Sequence, residues 1–191
     1  HGGPENAANL LAFAGRAYGG LSLPRPEKPR EYPEYGLYDP LTDRSRDTLA
    51  EYRKAAGHDP KAPTVGLLFY GGMHFAQSLA PARAFAGRLK AMGINVTPVY
   101  STAARNLDAI RDFFFDNGTP AVDGVAYFQW FQLTTFPDAA PDASVQLLKE
   151  LGVPVFCGCP MFGREVEKWR ECPQGLSPVE ALTTVILPEL D

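Results

Sequence analysis

Thr64-Val65-Gly66-Leu67-Leu68-Phe69-Tyr70-Gly71-Gly72-Met73-His74 is the stretch whose reading decides the fold. Its first part is a short apolar run, bounded by a proline before and glycines after, and reads as a buried strand. From Leu79 the apolar positions change period. Leu79, Ala82, Phe85, Ala86, Leu89 and Met92 recur at three and four residues, which predicts a helix. Pro81 suits a first helical turn, where its missing N–H has no partner to lose. Gly93 suits the exit, where a residue without Cβ turns left-handed. Strand, glycine break and amphipathic helix make the first half of an α/β crossover. In such sheets ligands sit beyond the carboxyl ends of the strands.

The same pattern continues downstream. Ile94 to Tyr100 reads as a second strand, with Pro98 arguing for a sheet edge or strand end. Leu107, Ile110, Phe113 and Phe114 mark a second helix closed by Asn117-Gly118. Val122 to Phe128 reads as a third strand running into Phe128-Gln129-Trp130-Phe131-Gln132. Val145, Leu147, Leu148 and Leu151 mark a third helix stopped by Gly152. Val153 to Cys157 is a fourth strand, followed by Gly158-Cys159-Pro160-Met161. Ser177-Pro178-Val179-Glu180 combines an N-cap serine, a proline at N1 and a glutamate at N3, a capping box that opens a last helix. Strands alternating with helices predict an α/β, doubly wound, mostly parallel sheet over residues 63–191, flavodoxin-like in order.

Upstream, Gly2-Gly3-Pro4-Glu5-Asn6 starts a helix whose apolar face is Leu10, Leu11, Phe13, Ala14, Ala17 and Tyr18. The stretch Leu23 to Pro40 is dense in proline and carries Tyr32, Tyr35 and Tyr38. It is expected to be neither helix nor central strand, but a linker or an arm laid across the surface with the tyrosines as anchors. Ser45 to Ala56 reads as a short helix capped by Gly57. Residues 1–62 are thus expected to form a helical, proline-rich extension packed on the main domain.

The 191 residues suffice for one domain with a real core, and 45% hydrophobic with 21% charged residues is a folded balance. A net charge of −4 gives no general attraction to nucleic acid or an anionic membrane. No apolar run reaches the roughly 20 residues of a membrane span, and no export signal is expected. Three cysteines do not make a disulfide framework, so a cytoplasmic location is expected. The chain opens without methionine and closes on Leu187-Pro188-Glu189-Leu190-Asp191, and is read as a piece of a longer protein.

Flavodoxin-like order makes the first and third strands neighbours. Tyr70, Gly71, Gly72 and His74 then face Gln129, Trp130 and Phe131, with Cys157, Cys159 and Met161 on the next strand. An aromatic cleft bearing one histidine suits a flat, largely apolar ligand that needs a proton acceptor. The competing reading is that these aromatics are core or a domain interface. Cys157 and Cys159, at i and i+2, would share a strand face and could join Cys172 or His74 around a soft metal. Against that, the spacing is not a zinc signature and buried thiols are common. No phosphate loop, dinucleotide fingerprint, nucleophile elbow or H-E-x-x-H stretch occurs.

Three separated stretches carry a family resemblance. They are Gly2-Gly3-Pro4-Glu5-Asn6 with its Leu-rich helix, Gly36-Leu37-Tyr38-Asp39-Pro40 with Pro63 to Tyr70, and Gly175-Leu176-Ser177-Pro178 with Leu187 to Asp191. Together they resemble the large subunit of cobaltochelatase (CobN) and the related large subunit of magnesium chelatase. The resemblance implies insertion of divalent cobalt or magnesium, as substrate, into a tetrapyrrole. It also implies ATP hydrolysis by partner AAA+ subunits and not by this segment. Tyr70, Gly71, Gly72, Trp130 and Phe131 would grip the macrocycle, and His74 and Glu189 would accept its protons. The chain departs from the cobalt-type pattern at Gly71, where that pattern has arginine, and at Gln77-Ser78. Two other readings stand beside this one: a docking or scaffold domain of such an assembly, and an independent flavodoxin-like module for another small ligand. The segment alone is expected to bind without turning over.

Overall fold

The structure, a computed structural model, describes residues 4–29, 31–71, 79–129, 133–134, 141–158 and 164–186. Of the candidate site residues, Gly72, His74, Trp130, Phe131, Cys159 and Glu189 lie outside the described residues.

In chain order the elements are α1 (Pro4–Ala17), β1 (Tyr35–Asp39), β2 (Arg44–Arg46), α2 (Leu49–Ala56), β3 (Thr64–Tyr70), α3 (Leu79–Ala91) and β4 (Asn95–Ser101). They continue with α4 (Asn106–Phe113), β5 (Phe115–Asp116), β6 (Thr119–Pro120), β7 (Gly124–Phe128), α5 (Pro141–Leu151), β8 (Val155–Cys157), α6 (Val166–Arg170) and α7 (Pro178–Ala181). The main sheet has the order β2-β1-β4-β3-β7-β8. β4, β3, β7 and β8 run parallel, and the β1–β2 hairpin joins β4 antiparallel. The four parallel strands therefore stand in the expected flavodoxin-like order.

Strand alternation divides the core between two faces. On one, Leu68, Val99, Val125 and Tyr127 pack against Ala109, Ile110 and Phe114 from α4 and its end, and Leu147 and Leu151 from α5. On the other, Leu67, Phe69, Val96 and Ala126 pack against Ala82 and Ala86 of α3. Gly66 is required by the first face. A Cβ there would lie 2.8 Å from the Phe114 ring. Gly93 and Gly152 leave their helices with φ of 75° and 63°, as the sequence predicts.

Four local readings change. Residues 35–39 are strand β1 and not a surface arm, because Pro33 and Pro40 bracket the strand without interrupting it. Two tyrosines do anchor it: Tyr35 donates to Asp112 at 2.8 Å and Tyr38 to Asp43 at 3.1 Å. The segment from Ser45 divides into β2 and α2, with Thr48 capping the helix by accepting from the Glu51 N–H. Asn117-Gly118 ends no helix directly. Both residues have positive φ, so they form the tight turn of the small β5–β6 hairpin. Finally, β4 is an interior strand despite Pro98. β1 pairs with β4 only from Val99 onward, so Pro98 stands where no antiparallel neighbour asks for its missing N–H.

α1 leans on the proline-rich segment that follows it. Asn9 accepts from the Glu27 N–H at 3.2 Å, and Arg16 donates to the Leu23 carbonyl.

Candidate functional site

Register aligns three strand ends at the carboxyl edge. Tyr70 is paired with Ser101, and Phe69 with Phe128, so Tyr70, Ser101 and Gln129 form one row across β3, β4 and β7. Alternation sends these three side chains to the face covered by α4 and α5. There Gln129 is only 1% exposed, and its Nε2 donates to the Ser101 carbonyl at 3.3 Å. The same carbonyl accepts the Gly71 N–H at 2.9 Å, while the Ser101 hydroxyl donates to the Thr102 carbonyl at 2.7 Å. Asn106, the first residue of α4 and 1% exposed, donates from Nδ2 to the Leu133 carbonyl at 3.4 Å.

This polar row is not internally complete. Gln129 Oε1, Asn106 Oδ1 and Thr102 Oγ1 are buried and have no hydrogen-bond partner among the described residues. A buried polar atom without a partner costs about 1–3 kcal/mol, which is why such atoms in folded proteins mark ordered water, an ion or a ligand. Among the described residues these three oxygens thus stand unbonded at the carboxyl edge, where doubly wound folds bind ligands.

The opposite face of the same edge is apolar. A Cβ on the buried Gly71 would lie 2.4 Å from Cδ2 of Tyr100, so the group closely approaching this glycine is the Tyr100 ring. Phe128 stacks at a tilt on Phe85, ring centroids 4.9 Å apart, and covers Gly158. Tyr70 and Gly71, neighbours in sequence, are therefore divided: Tyr70 stands in the polar row and Gly71 under an aromatic ring. Ser101, Thr102 and Asn106 were not singled out from sequence. The signal was present, since Ser101-Thr102 ends the second strand as Tyr70-Gly71 ends the first.

Cys157 lies exposed on β8, and the half-exposed Cys172 sits beside Arg164 and Gln174. A backbone hydrogen bond from Gln174, supported by the Arg164 charge, holds the Cys172 thiol below its ordinary value. Among the described residues no group of three or more His, Cys, Asp or Glu side chains could hold a metal ion.

A cavity of about 250 Å³ opens at the other end of the sheet, between α2, α3 and the start of β4. Several polar groups of its wall bond to one another. Tyr52 donates to the Val96 carbonyl at 2.8 Å, and His58 Nε2 shares that carbonyl at 3.0 Å. Asn95 Nδ2 donates to the carbonyls of Asp59 and Ala62. Burial pushes the His58 imidazole below its ordinary pKa. This is a structural knot closing the part of β4 that β1 leaves uncovered.

Comparison with known proteins settles the lineage. The family model described as CobN/Magnesium Chelatase matches residues 1–191. The chain belongs to that family. The magnesium-chelatase large (H) polypeptide of Cereibacter sphaeroides is 32% identical over 165 residues, covering 85% of this CobN/magnesium chelatase chain and 14% of that protein. Its chloroplastic counterpart ChlH of Oryza sativa subsp. japonica is 26% identical over 207 residues, covering all of the chain and 15% of that protein. Among solved structures, the catalytic subunit of cobaltochelatase from Mycobacterium tuberculosis has the same fold, with a TM-score of 0.64 at 22% identity. It covers the whole chain and 15% of that structure. The CobN/magnesium chelatase chain thus spans about one seventh of the length of the relatives it matches. No described helix is long and apolar enough to cross a membrane.

Proposed function

We propose that this chain is a segment of the large, tetrapyrrole-binding subunit of an ATP-dependent metal chelatase. That enzyme places cobalt or magnesium, as substrate, in a tetrapyrrole. The observation that carries the reading is the register of β3 against β7 in a chain of this family. It sets Tyr70-Gly71 beside Phe128-Gln129, with an apolar aromatic face and a row of hydrogen-seeking oxygens at one sheet edge. A macrocycle is flat and apolar on its faces, which the aromatic side suits. These oxygens can accept only from rim amide N–H groups, rim carboxylates needing donors elsewhere.

In this reading Tyr70, Gly71, Gly72, Trp130 and Phe131 grip the ring. His74 and Glu189 accept the pyrrole protons displaced as the metal enters, the work of a general base. The sequence carries no phosphate loop, which supports assigning ATP hydrolysis to AAA+ partner subunits in the cytoplasm.

The test is titration of the longer polypeptide carrying this segment with hydrogenobyrinic acid diamide and with protoporphyrin. The expected result is a shifted Soret band and quenched protein fluorescence with one of them. Trp130→Ala should weaken binding. His74→Ala or Glu189→Ala should slow metal insertion while leaving binding in place. Silence toward both tetrapyrroles would sink the reading.

A docking domain is the second reading, favoured by the apolar side chains exposed on α1 and β8, Leu10 and Leu11 at 66% and 72% among them. It predicts normal insertion by the His74→Ala and Glu189→Ala variants, and weaker subunit association when the exposed apolar residues are changed.

A further inference from the structure

The parallel strands stand in the order second, first, third, fourth, and a doubly wound sheet of this order continues to a fifth strand beside the fourth. Among the described residues no strand pairs with the outer side of β8. All of β8 is exposed, Phe156 at 60%. An apolar edge of that kind is a template for another strand.

The chain beyond β8 points the same way. Val166, Trp169, Val179, Leu182 and Ile186, on α6, α7 and the turn behind α7, are all exposed. Neither core cluster contains a described residue beyond Val153. Among the described residues these exposed apolar side chains join neither core cluster, and a further part of the sheet lying under them would bury them. Handedness says where that sheet would be. The crossover from β7 to β8 puts α5 on the α4 face. The same right-handed step, taken once more, puts α6 and α7 on that face and a new strand outside β8. Phe156 is paired with Ala126 and so faces the α3 side, where the helix following the new strand would lie.

The relatives supply the source, since this chain makes up only 14% to 15% of their length. We propose that the outer edge of β8 seats a fifth parallel strand contributed by the longer polypeptide. The strand is an apolar run of roughly 5–6 residues. An amphipathic helix behind it covers Phe156 on the α3 face.

The test is amide hydrogen exchange on the full-length polypeptide. The expected result is protection of the outward-facing amides of Val155 and Cys157 at least about 100-fold above the unstructured-chain rate, independent of protein concentration. Phe156→Lys should speed β8 exchange at least about 10-fold while leaving β3 unchanged. Exchange of those two amides at the unstructured-chain rate would overturn the proposal. So would protection that vanishes on dilution, which would assign the edge to a second copy of the chain. Loss of tetrapyrrole binding touches neither result, because the readout is the edge strand alone.

Discussion

The carboxamide of Gln129 reaches from the end of β7 to the carbonyl of Ser101 at the end of β4, 3.3 Å away, and so bridges the end of β3 that lies between them. That hydrogen bond ties Gln129 to the polar row, and the other carboxamide atom, Oε1, has no partner among the described residues. Gln129→Leu removes a modest hydrogen bond together with an orphaned acceptor, so stability should change by less than about 1 kcal/mol. Gln129→Glu puts a carboxylate at a 1% exposed position, and should cost at least about 2 kcal/mol at neutral pH. It should recover at acid pH, where the protonated acid can donate to Ser101 again. Urea midpoints at two pH values check both variants.

Gly71→Ala should destabilise the fold in the absence of any ligand. The added methyl lies 2.4 Å from Tyr100 Cδ2, an overpacking that costs about 1–3 kcal/mol. Tyr100→Leu in the same chain should relieve most of that cost, because the ring is what the methyl strikes. A thermal melt of both variants decides the matter. Full stability of Gly71→Ala would mean that the glycine is kept for something other than the Tyr100 ring.

The pH response of His58 has a definite sign. Burial lowers its pKa in the folded state, so the unfolded chain takes up the proton first as pH falls. The stability that the neutral ring contributes is fully present above its unfolded pKa of about 6.5. It is lost as pH falls below that value toward the folded pKa. His58→Gln keeps a donor for the Val96 carbonyl and removes the titration. Its denaturation midpoint should be flatter than that of the wild type between pH 7 and pH 5, on the order of the range set by the imidazole.

The parallel half of the fold was legible because each of its signals is local. Strand β3 ends at Tyr70 where the apolar run meets glycine, and the capping box at Ser177 forms as written, with Glu180 accepting from the Ser177 N–H at 2.9 Å. β1 was not legible, since a strand bracketed by Pro33 and Pro40 resembles the proline-rich segment around it until its partner β4 is known. The site divided along the same line. That Tyr70 and Gln129 end neighbouring strands follows from strand order. The row's completion by Ser101, Thr102 and Asn106 depends on register and on where α4 begins, and neither is written in any short stretch.

The place of β1 gives a last test, and it bears on where the main domain starts. Leu37 is 1% exposed and belongs to the core on the α4 face, while Leu11 of α1 is 72% exposed. Leu37→Ala leaves a hole among Val99, Ile110 and their neighbours, and should cost about 2–5 kcal/mol, as buried leucines do. Leu11→Ala should stay within about 0.5 kcal/mol when this chain is unfolded alone. The two residues lie in one stretch of sequence, yet only Leu37 touches the sheet, through the register pair Leu37–Val99. If urea midpoints showed equal, small losses, residues 35–39 would be a detachable arm and the domain would begin at β3. A large loss confined to Leu37 would make β1 part of the folding unit that holds the polar row.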